Sequence, residues 1–108
     1  MKKLCVLLLL TVSLFANAKE YTFSPKDVPA MKQLLGSGNL QPGDAVVLKD
    51  GAYHNLEEIH FTGKGVSGKP IVWRAENPGK AVISGKLRLK IYGEYLQLED
   101  LLFYKAWA

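Results

Sequence analysis

Two sets of charged side chains, two histidines and one tryptophan are the residues with chemistry to offer. Lys49, Arg74, Arg88 and Lys90 fall on strand-like stretches and could form an outward basic face that holds carboxylates. They fit equally well as solvated positions on exposed strand faces, because Lys and Arg are mostly exposed in any fold. Glu57-Glu58 and Glu99-Asp100 are acidic pairs of the kind calcium favours. Adjacent strand residues point to opposite faces, however, so neither pair can chelate one ion as it stands. His54 and His60 lack the cysteine, serine or second-histidine spacing that signals zinc or nucleophilic catalysis, and they read as turn and strand positions. Gly63-Lys64-Gly65 lacks the fixed spacing of a phosphate-binding loop and reads as a turn. Trp73 has inward strand parity and reads as a core residue rather than a sugar platform. The residues by themselves therefore assign no catalytic group and no metal ligand, and leave substrate-binding positions unknown.

The elements that carry these residues repeat. Gln41-Pro42-Gly43-Asp44 is a turn that feeds the apolar run Ala45-Val46-Val47-Leu48, and Asp50-Gly51 ends it. Similar strands return at Ile71-Val72-Trp73-Arg74 and at Leu96-Gln97-Leu98-Glu99, with Val46, Ile71 and Leu96 spaced 25 residues apart. A short strand recurring at such a period marks a stacked-coil solenoid. On this spacing Val46, Ile71 and Leu96 stack inward, as do Leu48, Trp73 and Leu98. Val47, Val72 and Gln97, then Lys49, Arg74 and Glu99, face outward. Second strands are read at 57–61 and 80–85, placing Ile59, Ala81 and Leu101 in one inward row and Phe61, Ile83 and Phe103 in the next. Leu87, Leu89 and Ile91 alternate with Arg88, Lys90 and Tyr92 in a third strand, and Lys64 to Lys69 forms a polar loop. A β-sandwich, which also reads as regular short strands, is the rival architecture.

Ahead of the first strand, Lys19 to Ser24 is a lead-in. Ser24-Pro25-Lys26-Asp27 then opens a helix with a capping residue, a first-turn proline and an acidic group at the positive helix end. Val28, Met31, Leu34 and Leu35 form its apolar face, and Gly36-Ser37-Gly38 ends it. Such a helix suits the capping of a first coil, whose bare core end would otherwise invite aggregation.

The chain has 108 residues and a net charge of +4, enough for at most one domain. Residues 1–18 read as a signal peptide. Met1-Lys2-Lys3 is basic, Leu4 to Phe15 is apolar, and Ala16-Asn17-Ala18 is an A-x-A cleavage site. The apolar run is shorter than the roughly 20 residues a spanning helix needs, so no membrane association is expected after cleavage. Removal of residues 1–18 takes away Lys2, Lys3 and Cys5. The remaining basic balance is mild and makes no case for nucleic acid. Cys5 is the one cysteine, so the mature chain has no thiol for a disulfide or a metal site. Export to the periplasm or medium of a bacterium is the expected localisation.

Several of these stretches also resemble a family. Leu40-Gln41-Pro42-Gly43-Asp44 with Val46-Val47-Leu48-Lys49-Asp50-Gly51-Ala52-Tyr53 looks like the first coil of the polysaccharide lyases that include chondroitinase B and many alginate lyases. Gly68-Lys69-Pro70-Ile71, Arg74-Ala75-Glu76-Asn77-Pro78-Gly79-Lys80, Gly93-Glu94-Tyr95-Leu96 and Leu101-Leu102-Phe103 continue the pattern. The resemblance covers residues 19–108 and matches the N-terminal portion of that family.

It implies an all-β fold, a right-handed parallel β-helix of the pectin-lyase type, here as three N-terminal coils behind a capping helix. It also implies β-elimination on an acidic polysaccharide, alginate or a glycosaminoglycan such as dermatan sulfate. In this reaction a base removes the proton beside a uronate carboxylate while a cation neutralises that carboxylate. In the family a lysine and an arginine serve as base and acid, often with calcium on the carboxylate, and they sit in later coils of a longer chain. No position here matches those motifs, so residues 19–108 alone are expected to be inactive, and the full-length protein is expected to be a monomer. A non-catalytic β-helix module that binds or displays carbohydrate is the alternative from another class.

Overall fold

The computed structural model describes residues 18–107; the expected signal peptide lies almost wholly outside them. Eight strands and one helix follow in the order β1 (Glu20–Phe23), α1 (Val28–Gly36), β2 (Ala45–Leu48), β3 (Gly51–His54), β4 (Glu57–Lys64), β5 (Ile71–Ala75), β6 (Ala81–Glu94), β7 (Leu96–Glu99) and β8 (Leu102–Trp107). Every pairing between these strands is parallel. One sheet has the order β1-β2-β5-β7, and β3 and β4 each pair with β6, which also pairs with β8. Among the described residues no helix is long and apolar enough to cross a membrane.

Parallel pairing sets like residues on like. Val46 lies beside Trp73, Trp73 beside Leu98, and Ile71 beside Leu96. The inward side chains Val46, Leu48, Ile71, Trp73, Ile59, Phe61, Ala81 and Ile83 are all fully buried. Burying one side chain of this size contributes about 1.5–3 kcal/mol. The rings of Phe61 and Trp73 pack in a T-shaped arrangement, with centroids 6.3 Å apart at 74°. Trp73 is thus a core residue, as its parity implied.

Three sequence expectations need correction. First, the lead-in at residues 19–24 contains β1, whose Tyr21 and Phe23 pair with Val46 and Leu48. Four residues give too short a pattern to announce a strand without its partner. Second, Val46 stacks on Trp73 rather than Ile71, and Leu48 on Ala75 rather than Trp73. A slip of two leaves inward parity intact, so alternation cannot detect it. Third, the second strand of the first repeat is β3, directly after Asp50-Gly51. Tyr53 therefore stacks on Ile83, whereas Ile59 and Phe61 stack on Leu89 and Ile91.

The corner between β3 and β4 explains the third correction. Asn55 turns the chain with φ 53°, and Gly85 turns it at the matching place inside β6 with φ 79°. Asn55 Oδ1 accepts the Lys86 N–H at 2.8 Å. A Cβ at Gly85 would collide with that same oxygen. The 14-residue β6 therefore runs through a corner, and its two halves pair with β3 and β4 separately.

The helix forms on its expected apolar face, but Ser24 caps a 3₁₀ turn at Pro25–Asp27, and the α-helix itself starts only at Val28. The Asp27 carboxylate accepts from the Ser24 N–H at 3.1 Å and from its hydroxyl at 2.8 Å. These bonds, the hydroxyl's first, hold the Asp27 carboxyl below the usual carboxylate range. Met31 and Leu35 are fully buried, with Val28 and Leu34 partly so. The helix packs against β4, and Lys32 Nζ donates to the Leu56 carbonyl at 2.9 Å.

The opposite end is different. Among the described residues β7 pairs only with β5, and β8 only with β6. Leu98 and Phe103 keep inward register yet are 37% and 43% exposed, and Trp107 is 60% exposed. Residues 19–108 expressed alone should therefore aggregate or bind a hydrophobic dye such as anilinonaphthalene sulfonate. A soluble monomer with a sharp cooperative melt and no dye binding would contradict this.

Candidate functional site

The richest polar cluster lies on the outer face of β4 and the second half of β6. Alternation points Glu58 and His60 of β4 outward beside Arg88 and Lys90 of β6. His60 Nε2 lies 2.6 Å from Glu58 Oε1, and Lys90 Nζ lies 3.7 Å from the same oxygen. The His60 hydrogen bond, then the Lys90 charge, holds the Glu58 carboxyl below its usual range. The His60 ring stands 5.8 Å from that of Tyr92. A concave groove of about 510 Å³ opens beside this cluster, between the Leu40–Pro42 turn and the Thr62–Lys64 end of β4, with Tyr92 at its rim. Its one charged lining residue is Lys64.

The four basic residues weighed in the sequence do not share one face. Arg88 and Lys90 belong to the β4–β6 surface, whereas Arg74 lies on β5 in the other sheet and Lys49 just follows β2. Arg74 has a structural partner: Nη2 donates to Glu20 Oε2 at 3.0 Å and Nη1 to its own strand's Ala75 carbonyl at 3.2 Å. Glu20 is on β1 and β2 lies between, so the guanidinium must cross the outer face of β2 at Val47. Val47, expected outward and exposed, is accordingly only 2% exposed.

The remaining candidates also find local partners. His54 Nδ1 lies 3.0 Å from Ser84 Oγ on the neighbouring strand. Gly63 and Lys64 belong to β4, not to a turn, and Gly63 faces Gly93 in register. The turn begins only beyond Gly65, where Val66 pairs with Lys69. Glu99 ends β7, and the Asp100 carbonyl accepts from the Gly79 N–H at 2.9 Å. Among the described residues no three His, Cys, Asp or Glu side chains converge to hold a metal. Calcium takes about 6–8 oxygen ligands, so Glu57-Glu58 and Glu99-Asp100 as placed do not fit it.

Two polar groups with structural roles carried no obvious motif. Asp44 is a buried carboxylate, 2% exposed, that accepts from Lys19 N at 2.9 Å and Gln41 N at 2.8 Å. An Asp directly after a Pro-Gly turn and before an apolar run is the signal that could have found it. Tyr53 is 1% exposed, and its hydroxyl lies 2.7 Å from the Lys49 carbonyl and 3.2 Å from that of Phe23. Burial first, then the Asp27, Asp50 and Glu76 charges, pushes the Tyr53 phenol up to about 12.

These shifts bear on catalysis. Tyr53 is driven up, and Asp27 and Glu58 are driven down. Each moves away from neutrality, whereas a general base for a carbon acid works best with a pKa near the operating pH. Because Tyr53 is protonated in the fold, its contribution to stability is whole below its ordinary value of 10.0 and fades as pH rises toward about 12. In an ultraviolet titration Tyr53 should ionise last, and Tyr53→Phe should abolish that final step. A titration unchanged by the substitution would contradict the burial argument.

The comparisons with known proteins agree on kinship. The family model described as Chondroitinase B matches residues 30–108. A solved mannuronic acid specific polysaccharide family 6 lyase from human gut microbiota is 97% identical, with a TM-score of 0.83, over 83% of this chain and 20% of its own. The PL6 family alginate lyase AlyGC is 27% identical with a TM-score of 0.66, over 82% of this chain and 12% of its own. The PL6 family polysaccharide lyase Pedsa3628 from Pseudopedobacter saltans is 26% identical with a TM-score of 0.60, over 84% of this chain and 19% of its own. No curated protein sequence matches. The chain thus spans a fifth or less of these solved relatives. With most of its length matched by the family model, from Ala30 onward, the chain belongs to the chondroitinase B family.

Proposed function

We propose that this chain is the N-terminal part of an exported bacterial polysaccharide lyase that cleaves mannuronate-rich alginate by β-elimination. The observation that carries this reading is the 97% identity to a lyase described as mannuronic acid specific. Its strands form the first coils of a right-handed parallel β-helix, and α1 caps the first of them. Support comes from the all-parallel ladders, the corners at Asn55 and Gly85, and the packing of α1 against β4.

The chain's own residues build and seal the start of the helix. The base and the carboxylate-neutralising cation belong to strands beyond β8. Arg74 and Lys90 each have an acidic partner already, Arg74 in Glu20 and Lys90 in Glu58. A carbohydrate-binding module without cleavage is the competing reading. It draws on the groove beside Tyr92 and Lys64, which offers a ring edge and one cation but no base.

The test is an ultraviolet assay for unsaturated uronate on polymannuronate, polyguluronate and dermatan sulfate. The complete reading frame should cleave polymannuronate fastest, and residues 19–108 should release no product. Cleavage by residues 19–108 alone, or saturable binding without cleavage by the complete frame, would overturn the proposal.

A further inference from the structure

The nitrogen of Lys19 sits on the most buried carboxylate of the described chain. It lies 2.9 Å from Asp44 Oδ1, and the Lys19 carbonyl accepts from Ala45 N at 2.8 Å. Lys19 is thereby fixed through both its N–H and its carbonyl, and β1 runs in register with β2 from Glu20 onward. Asp44 Oδ2 accepts from Gln41 N at 2.8 Å. No Lys, Arg or His side chain forms a salt bridge with Asp44 among the described residues. A buried carboxylate facing only neutral amides leaves its negative charge without a cationic partner among the described residues. Ala18, exposed, immediately precedes Lys19 and closes the triplet Ala16-Asn17-Ala18.

Hydrolysis of the Ala18–Lys19 peptide bond would supply the missing charge. One water is consumed, Ala18 leaves as a carboxylate, and the Lys19 nitrogen takes up a proton as an α-ammonium. That nitrogen then donates a charge-assisted hydrogen bond, about twice as strong as the neutral one it replaces. We infer that Asp44 is the seat of the mature N-terminus, and that leader removal after Ala18 creates the ion pair that locks β1 and the Pro42-Gly43 turn onto β2. This rests on the reading that the protein is exported and its leader removed.

N-terminal sequencing of the exported complete reading frame tests the cut, and the expected first residue is Lys19. A cleavable fusion can then release the same protein beginning either at Lys19 or at Ala18, so that only the first form carries an ammonium at Lys19. The Lys19 form should melt about 2–4 °C higher, and Asp44→Asn should erase the difference. Should Asp44→Asn fail to fold, acylation of the α-amine gives an independent reading. In the Lys19 form it should run about tenfold slower than in the free peptide Lys-Glu-Tyr-Thr. A retained leader would overturn both this inference and the export reading on which it stands, whereas a leader cut at another bond would overturn the inference alone. Cleavage at Lys19 with equal melting points, or with peptide-like acylation, would overturn the seat alone.

Discussion

Every inward side chain here must land on an inward side chain of the next strand in a parallel ladder. That constraint governs the molecule more than any single contact. Val46, Trp73 and Leu98 form one such row across β2, β5 and β7, and Tyr53, Ile83 and Phe103 form another across β3, β6 and β8. The last residue of a row is wet where nothing covers it. Trp73, in mid-row, is fully buried, while Leu98 at the row's end is over a third exposed. The helix α1 packs against β4 and buries Met31 and Leu35.

The two ends of this ladder depend on polar groups with few alternatives. At the first strand, Asp44 gathers Lys19 and Gln41, and its own carbonyl accepts from Val72 N at 3.0 Å, so one residue links β1, the turn and β5. The corner at Asn55 fixes where β3 gives way to β4. Arg74 then ties β5 to β1 across Val47. These contacts set register, which apolar burial alone leaves free to slip by two residues.

That freedom explains what could be read from the sequence. The helix was legible because Val28, Met31, Leu34 and Leu35 share a face between recognisable caps. Inward parity was legible for Val46, Ile71, Trp73 and Leu96, because alternation survives any even shift. The register of β2 on β5 was not, because an offset of 25 residues, which holds from β5 to β7, lengthens by two between β2 and β5. β1 was too short to stand out, and β3 was hidden by Asp50-Gly51, whose turn is followed at once by a new strand. Of the candidate site, the shared parity of Arg88, Lys90 and Tyr92 was legible in the alternation of β6. The grouping of Glu58, His60 and Lys90 was not, since it needs the β4–β6 pairing. Family kinship was legible in the Pro-Gly-Asp turn and the strand after it, where Asp44 gathers the Lys19 and Gln41 N–H groups.

Leu98 and Phe103 keep inward register yet stand exposed at β7 and β8, the surface that the proposed further strands would cover. The direct measurement is the DNA sequence beyond the codon for Ala108. The account predicts an open frame that supplies further short strands at the same repeat, with apolar residues in register with Leu96 and Leu98 and a lysine and an arginine converging on one outer face. A stop codon directly after Ala108, in a protein that still folds as a soluble monomer, would contradict it.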